Sequence, residues 1–517
     1  MKKLLFNFLW NLKKGYDQCI KNKKFPEIRK LIYELNSAEV PNSNNYESIS
    51  LKQFLVQRIQ FERSFRFFLF YAIRKKKNIF FFPVPPVYKQ ILNKYNIRLD
   101  TIYNYISWFF FVFSYYLNFF RTLLNLLKEK ILYSSCIKNS LPKKKIIIID
   151  NVKFNDFFQN ERKKYNIINW FNDNYPGSYL VFASNKNSKI EFLDNYAKIK
   201  NSYSLFLYNI NFFKIFQISL ILILKNFFYL ISFRWGEILL SSEILISKIV
   251  RPNLETNISF FRIWSNDVYE PIWVKKLKLM NVQFQSFILF NNIINEMLVP
   301  YAEKYQNLEC DYEGFFLLTW SNYLVWDIYS AKYLKERLSS QAKIKIIKPL
   351  TFSDSNHKIR STDQKSVGIF IYEAHKWSFG VTQFADYSMI DKKLIQYFIE
   401  DILEVAKKYN VKIYLKRKRN LEKKFQVLKT ENFFKNLDDL IDIVNPSISP
   451  FRIIDETNAS ISLPFTSTGF IGLSYKKPSI YYDPITWVSK NDPSASGVNI
   501  VTGKEELDKW FGENFQS

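Results

Sequence analysis

Residues Lys143 to Asp150 read KKKIIIID, four consecutive isoleucines between lysines and an aspartate. A β-branched run that is apolar at every position buries both faces of its strand, and the interior of a parallel sheet is where both faces are covered. The run therefore commits this part of the chain to an α/β architecture. Tyr179 to Ala183 (YLVFA), behind the turn pair Pro176-Gly177, is a second strand of the same kind. Ile258 to Ile263, Phe284 to Phe290 and Ile344 to Ile347 extend the set. Asn78 to Phe82 (NIFFF), followed by PVPPVY and KQILNKYNI, reads as strand, loop and helix. Strands alternating with helical stretches specify a doubly wound sheet.

The polar stretch Ser353 to Lys365 (SDSNHKIRSTDQK) interrupts this pattern, and the cycle then restarts. Val367 to Tyr372, Val411 to Leu415, Ile453 to Asp455, Ala459 to Leu463 and Ser479 to Tyr482 read as strands, and Asp391 to Tyr409 has helical spacing. The expected fold class is α/β and GT-B-like, with two Rossmann-like domains facing a cleft. The expected division is 1–76, a basic aromatic N-terminal membrane-associating region; 77–352, a first domain with a helical insert about 101–142; 353–365, a linker; and 366–517, a second domain. A chain of 517 residues is long enough for two such cores.

Charge is unevenly spread. The formal net charge is +27, and residues 1–145 carry 27 Lys and Arg against eight Asp and Glu. The abundance of Lys, Asn, Ile, Phe and Tyr reflects A/T-rich codons in part, but a genome-wide bias does not concentrate in one segment. Basic residues interleaved with Phe, Trp and Leu favour an anionic membrane surface. Single-stranded nucleic acid is the alternative for such a mixture, and no nucleic-acid partner is expected here. Met1 to Lys14 (MKKLLFNFLWNLKK) lacks a cleavage site and reads as an amphipathic helix or a plain surface helix rather than a secretory signal. Ile106 to Leu127 and Phe212 to Phe233 are long and apolar but carry Arg121, Lys214 and Lys225, so they read as helices dipping into an interface or buried on the fold rather than as spans. Cys19, Cys136 and Cys310 are far apart, which indicates neither a disulfide framework nor a zinc site and fits a reducing compartment.

The most informative stretch is Ile454 to Pro484, IDETNASISLPFTSTGFIGLSYKKPSIYYDP. Pro464 stops the strand before it. Phe465 is expected to pack beneath the turn, and Thr466, Ser467 and Thr468 present three hydroxyls at a helix start, with Gly469 allowing close backbone approach. A helix N-terminus with free N–H groups is an anion site, and in an open α/β sheet ligands bind at the carboxyl ends of the strands. An ordinary helix N-cap uses the same residue types. Lys416 and Lys418 follow the strand Val411 to Leu415, where a basic loop in solvent is the plainer reading. Glu373 and His375 follow the strand Val367 to Tyr372 and are expected to face the cleft.

Pro464-Phe465-Thr466-Ser467, in its strand–motif–helix–strand frame, resembles the polysaccharide biosynthesis PFTS-motif proteins. The segment also resembles the donor side of GT-B transferases that use CMP-activated acidic sugars (sialyl or Kdo type). The resemblance covers the C-terminal domain and extends only loosely into the N-terminal half. It implies a transferase of capsule or O-antigen synthesis, peripheral on the cytoplasmic face of the bacterial inner membrane. Its partners would be a nucleotide-sugar donor and a glycan or lipid-linked acceptor. Thr466, Ser467, Thr468, Lys416, Lys418, His375 and Glu373 would form the donor side. Related transferases often place a His-Pro pair where Lys416 stands, and its absence puts general-acid chemistry there in doubt. The resemblance puts the base that deprotonates the acceptor at a strand end of the first domain, with Asp267 first and Asp150, Glu270 and Asp327 behind it; a helix cap is the plainer role for each. No Asp-x-Asp pair stands in a strand-end loop and no His/Cys/carboxylate cluster is visible, so no cofactor and a metal-independent reaction are expected. A CDP-polyol phosphotransferase of the teichoic-acid type and a non-catalytic binding protein are the rival readings.

Overall fold

The computed structural model describes residues 25–38, 45–57, 83–140, 145–151, 167–183, 191–192, 196–207, 210–250, 257–263, 268–280, 283–294, 314–351, 357, 359, 363–371, 392–417, 440–486 and 488–516. Among them, eight strands form a first sheet: β1 (Ile146–Asp150), β2 (Tyr179–Ala183), β3 (Glu191–Phe192), β4 (Tyr196–Ile199), β5 (Ile258–Ile263), β6 (Phe284–Leu289), β7 (Asn322–Val325) and β8 (Lys343–Ile346). Their spatial order is β3-β4-β2-β1-β5-β6-β7-β8, parallel except for β3 against β4. Six strands form the second sheet: β9 (Ser366–Ile371), β10 (Lys412–Arg417), β11 (Ile441–Val444), β12 (Ala459–Ser462), β13 (Ser479–Asp483) and β14 (Asn499–Thr502). Their order is β11-β10-β9-β12-β13-β14, with every pairing parallel. These are the two doubly wound α/β units expected from the sequence.

The isoleucine run divides its side chains between two cores. Ile146 and Ile148 join Val181, Phe260 and Ile288 on one face of the first sheet. Ile147 and Ile149 join Phe171, Phe182 and Phe261 on the other. That second core continues into the second domain through Phe370, Tyr414, Phe451 and Ile471. Trp326 meets Phe451 edge to face, the Tyr475 hydroxyl donates to the Pro349 carbonyl at 2.9 Å, and the Thr351 and Ser449 hydroxyls lie 3.1 Å apart.

Three expectations are corrected. Residues 453–455 are helical, not a strand, because Ser449 caps a helix with Pro450 in its first turn (Pro450–Glu456). The strands β3, β4, β7, β11 and β14 are present where no strand was expected, and each is only two to four residues long. The helices Phe25–Ser37 and Asn45–Leu55, within the segment read as a separate membrane region, pack into the first domain. Leu31, Leu35, Leu51 and Phe54 share a core with Tyr88, Trp108, Ile238 and Ile272. Met1 to Lys14 and Asn78 to Phe82 lie outside the described residues.

A buried polar network fastens helix Asn45–Leu55. Glu270 is fully buried and is hydrogen-bonded by Ser286 (3.1 Å), Thr319 (2.6 Å) and Lys278 (3.0 Å). Gln53 receives the Glu270 N–H (3.3 Å) and the Lys275 ammonium (2.7 Å) and donates to the Leu317 carbonyl (2.6 Å). Lys275 also donates to Ser50 at 2.8 Å. Burial pushes the Lys275 ammonium down from 10.5 to about 8, against the pull of Glu270. Below pH 8 the cost of burying the charge is present in full. Between pH 8 and 10.5 the folded protein releases this proton first, so the cost fades as pH rises. Urea denaturation across that window should show wild type gaining stability relative to Lys275→Met as pH rises; a pH-independent difference would count against a charged, buried Lys275.

Candidate active site

Strand order reverses once in each sheet, between β1 and β5 and between β9 and β12. A crevice opens outside the carboxyl ends of the strands at such a reversal, because the flanking connections leave on opposite faces. The structure puts expected residues at both reversals.

In the second sheet the crevice is flanked by the loop after β9 and the turn after β12. Residues 372–391, with Glu373 and His375, lie outside the described residues, as does Lys418. The turn after β12 is described in full. Pro464 ends the strand and Phe465 adopts a left-handed conformation (φ 61°) with its ring buried near Tyr481, their centroids 6.0 Å apart. A bulky residue at positive φ is uncommon and costs backbone energy. Burial of the ring and a 2.6 Å hydrogen bond from the Tyr481 hydroxyl to the Thr466 carbonyl hold the turn in place. Thr466 is then the N-cap of helix Ser467–Ser474.

The three motif hydroxyls are not equivalent. Thr468 lies 2.8 Å from both the Thr466 and the Ser462 hydroxyls, which links them in a chain from the strand end to the helix cap. Thr466 makes no side-chain cap bond. Ser467 is half-buried, and its hydroxyl has no hydrogen-bond partner among the described residues. It stands in the first helical turn, where N–H groups lack intrahelical acceptors and the helix dipole favours an anion.

Helix Ser467–Ser474 sits close to the sheet because Gly469 and Gly472 face it. A Cβ at Gly469 would lie 2.3 Å from the Tyr481 ring, and one at Gly472 would lie 2.0 Å from the Ser479 hydroxyl. Close approach at Gly469 thus serves packing against β13. Ser460 and Ser479, paired at 2.6 Å, supply the flat surface beneath Gly472.

Lys416 is level with Phe370, and Phe370 is level with Ser462. With strands about 4.8 Å apart, the lysine backbone sits roughly 10 Å from Ser462 along the same carboxyl edge. Its side chain is buried, and its ammonium donates to the Pro446 carbonyl at 2.7 Å.

In the first sheet Asp150 and Arg262 pair in register across the β1–β5 reversal, and the guanidinium binds the carboxylate. Asn151, at φ 67°, follows and donates to the Ile263 carbonyl at 3.1 Å. Arg262 is a cation at this crevice that was not singled out from sequence; its position at the end of a central strand was the available signal. Asp267 lies outside the described residues. Glu270 is turned into the buried network, with no exposed surface to meet an acceptor. Asp327 caps helix Ile328–Lys335 through Ser330, as the cap reading has it, and burial pushes its carboxyl up. The structure therefore leaves Asp150 as the expected carboxylate at the first crevice, and gathers Thr466, Ser467, Thr468 and Lys416 along the second.

The model of one family, described as polysaccharide biosynthesis PFTS motif protein, matches residues 223–511. No curated protein matches the sequence. Solved structures are distant. A sucrose-phosphate synthase from Thermosynechococcus elongatus is 9% identical, covering 72% of this chain and 89% of its own at a TM-score of 0.34. A trehalose 6-phosphate synthase from Burkholderia multivorans is 9% identical, with the same coverage and a TM-score of 0.37. The wall teichoic acid polymerase TagF is 11% identical, covering 78% and 93% at a TM-score of 0.35.

Ser467→Ala should leave stability within about 0.5 kcal/mol, because its hydroxyl has no hydrogen-bond partner among the described residues to lose. Gly469→Ala should cost about 1–3 kcal/mol through the Tyr481 clash. Chemical denaturation of the two variants tests the pair, and equal effects would contradict the arrangement described.

Proposed function

The chain belongs to the family of polysaccharide biosynthesis PFTS motif proteins, and from that premise we propose that it is a glycosyltransferase moving a sugar from a nucleotide donor to a glycan or lipid-linked acceptor. One observation carries the reading. The motif places a hydroxyl without a partner among the described residues, Ser467, and the start of a helix at the strand-order reversal of an all-parallel sheet. That is an anion site at the position where such sheets bind ligands.

The donor nucleotide's phosphate sits on the first turn of helix Ser467–Ser474. Thr466 and Thr468 hold that turn, and Lys416, Lys418, Glu373 and His375 are the charged residues we assign to the same donor side. Cations and a helix N-terminus stabilise the negative charge that grows on the nucleotide as the glycosidic bond breaks. An acceptor hydroxyl attacks the anomeric carbon in a single displacement, and its proton passes to a first-domain carboxylate. Asp150, fixed by Arg262, and Asp267 are the candidates. The donor is a CMP-linked acidic sugar, by the resemblance of the Pro464–Thr468 frame to transferases of that class. The product enters a capsule or O-antigen, and the enzyme works peripherally at the inner face of the bacterial inner membrane.

A thermal-shift screen against CMP, CDP, UDP, GDP and ADP tests this reading on wild type and Ser467→Ala. A ligand at about 100 times its Kd adds about 2.7 kcal/mol of stability. CMP should raise the wild-type midpoint and shift the variant much less. A response to CDP instead would favour a polyol-phosphate transferase, and a screen in which no nucleotide shifts the midpoint would sink the transferase reading.

A further inference from the structure

Two helices of the first domain are apolar on the side that faces away from the protein. In helix Phe212–Ile231 the inward stripe is Ile215, Ser219, Leu222 and Asn226, all buried. Phe213, Phe216, Leu220, Leu224, Phe227 and Ile231 point the other way and are 47–72% exposed. Helix Thr101–Ser140 repeats the arrangement. Trp108, Val112, Phe119 and Leu126 face inward, whereas Ile102, Ile106, Phe110, Leu117 and Leu124 are 48–71% exposed. The helices run side by side and antiparallel: Lys130 lies over the Phe212 ring at one end, and Trp108 meets Trp235 edge to face at the other. Their outward faces therefore form one apolar surface, far larger than isolated exposed residues produce.

Charge identifies what covers it. Arg121, Lys128, Lys214 and Lys225 are exposed along these helices. The sole acid in the two segments, Glu129, is buried and bound by Asn201 and Ser204. A second copy docking by two-fold symmetry would bring this cationic margin against itself. An apolar face bordered by cations instead matches an anionic lipid surface, with rings among the acyl chains and ammonium groups at the phosphates.

The geometry also sets the mode of contact. Ile215, Leu222, Phe119 and Leu126 belong to the same core as Ile148 and Phe260 of the sheet. The inward stripes are thus packed on the domain along their length, and either helix would have to strip off that core to span a bilayer. We propose that helices Thr101–Ser140 and Phe212–Ile231 form a paired, in-plane docking surface for an anionic membrane, entering only its interfacial layer. The inference rests on the peripheral membrane reading above and specifies the surface that makes it.

The test adds purified full-length protein, without detergent, to preformed phosphatidylcholine vesicles with and without phosphatidylglycerol, followed by flotation. Wild type should float with the phosphatidylglycerol vesicles and less with phosphatidylcholine alone. Phe213→Ser/Phe216→Ser/Leu224→Ser should bind at least about tenfold more weakly, with its melting profile retained because these side chains face out. If that variant does not fold, Lys214→Glu/Lys225→Glu replaces it and should lose the preference for the anionic lipid. A variant that floats like wild type would overturn the helix pair while leaving peripheral binding intact. Wild type that does not float would overturn both, whether it enters vesicles only on detergent reconstitution, as a spanning protein does, or sediments as a dimer that the triple variant abolishes.

Discussion

A parallel sheet has to be covered on both faces, and most of this structure answers to that demand. Its strands are joined by crossovers, so helices are delivered to each side as the chain winds. The run Ile146–Ile149 shows the demand residue by residue, alternate isoleucines entering different cores. One core extends into the second domain, so the second domain's helices help to cover that face. The opposite face is covered by the first domain's own helices, which have no further layer outside them among the described residues.

The same topology decides where chemistry is possible. A winding sheet that reverses once has one crevice at its carboxyl edge, and each sheet here reverses once. The turn after β12 meets that edge with a conformation a phenylalanine adopts only when held. Phe465 is held by its own burial, by the Tyr481 hydroxyl on the neighbouring carbonyl, and by the chain Thr466–Thr468–Ser462. Gly469 and Gly472 let the helix sit low enough for these contacts to form. The four motif residues thus divide the labour. Proline ends the strand, phenylalanine anchors the turn, threonine stands at the N-cap with its hydroxyl on Thr468, and serine has no hydrogen-bond partner among the described residues.

How much of this was legible in the sequence followed from how local each signal is. Strands apolar at every position, such as Ile146–Ile149 and Tyr179–Ala183, announce themselves, and the motif turn could be read from Pro464 and the hydroxyl cluster. The four-residue strands Asn322–Val325, Ile441–Val444 and Asn499–Thr502 could not, because each has at least one polar residue among its four and only pairing with a neighbour defines it. Glu270 misled for a related reason. A carboxylate after a strand reads the same whether it turns to the crevice or inward, and its partners Gln53, Ser286 and Thr319 come from three distant parts of the chain. Lys416 was rightly placed at a strand end, but its bond to the Pro446 carbonyl depends on a loop 30 residues away.

The two apolar helices show what hydropathy alone leaves undecided. Length and composition make Phe212–Ile231 a candidate span, a core helix or an interfacial helix alike. Phase separates these readings. A core helix turns its apolar side inward, yet here Ser219 and Asn226 lie in the inward stripe while phenylalanines face out. A span has no inward stripe fixed to a soluble core, yet Ile215 and Leu222 pack with the sheet side chains. A helix lying along an interface, as proposed above, satisfies both observations, with one side belonging to the protein and the other to a second apolar phase. On that proposal the demand that began with the sheet's exposed face passes to the helices that cover it, whose outward sides are apolar among the described residues.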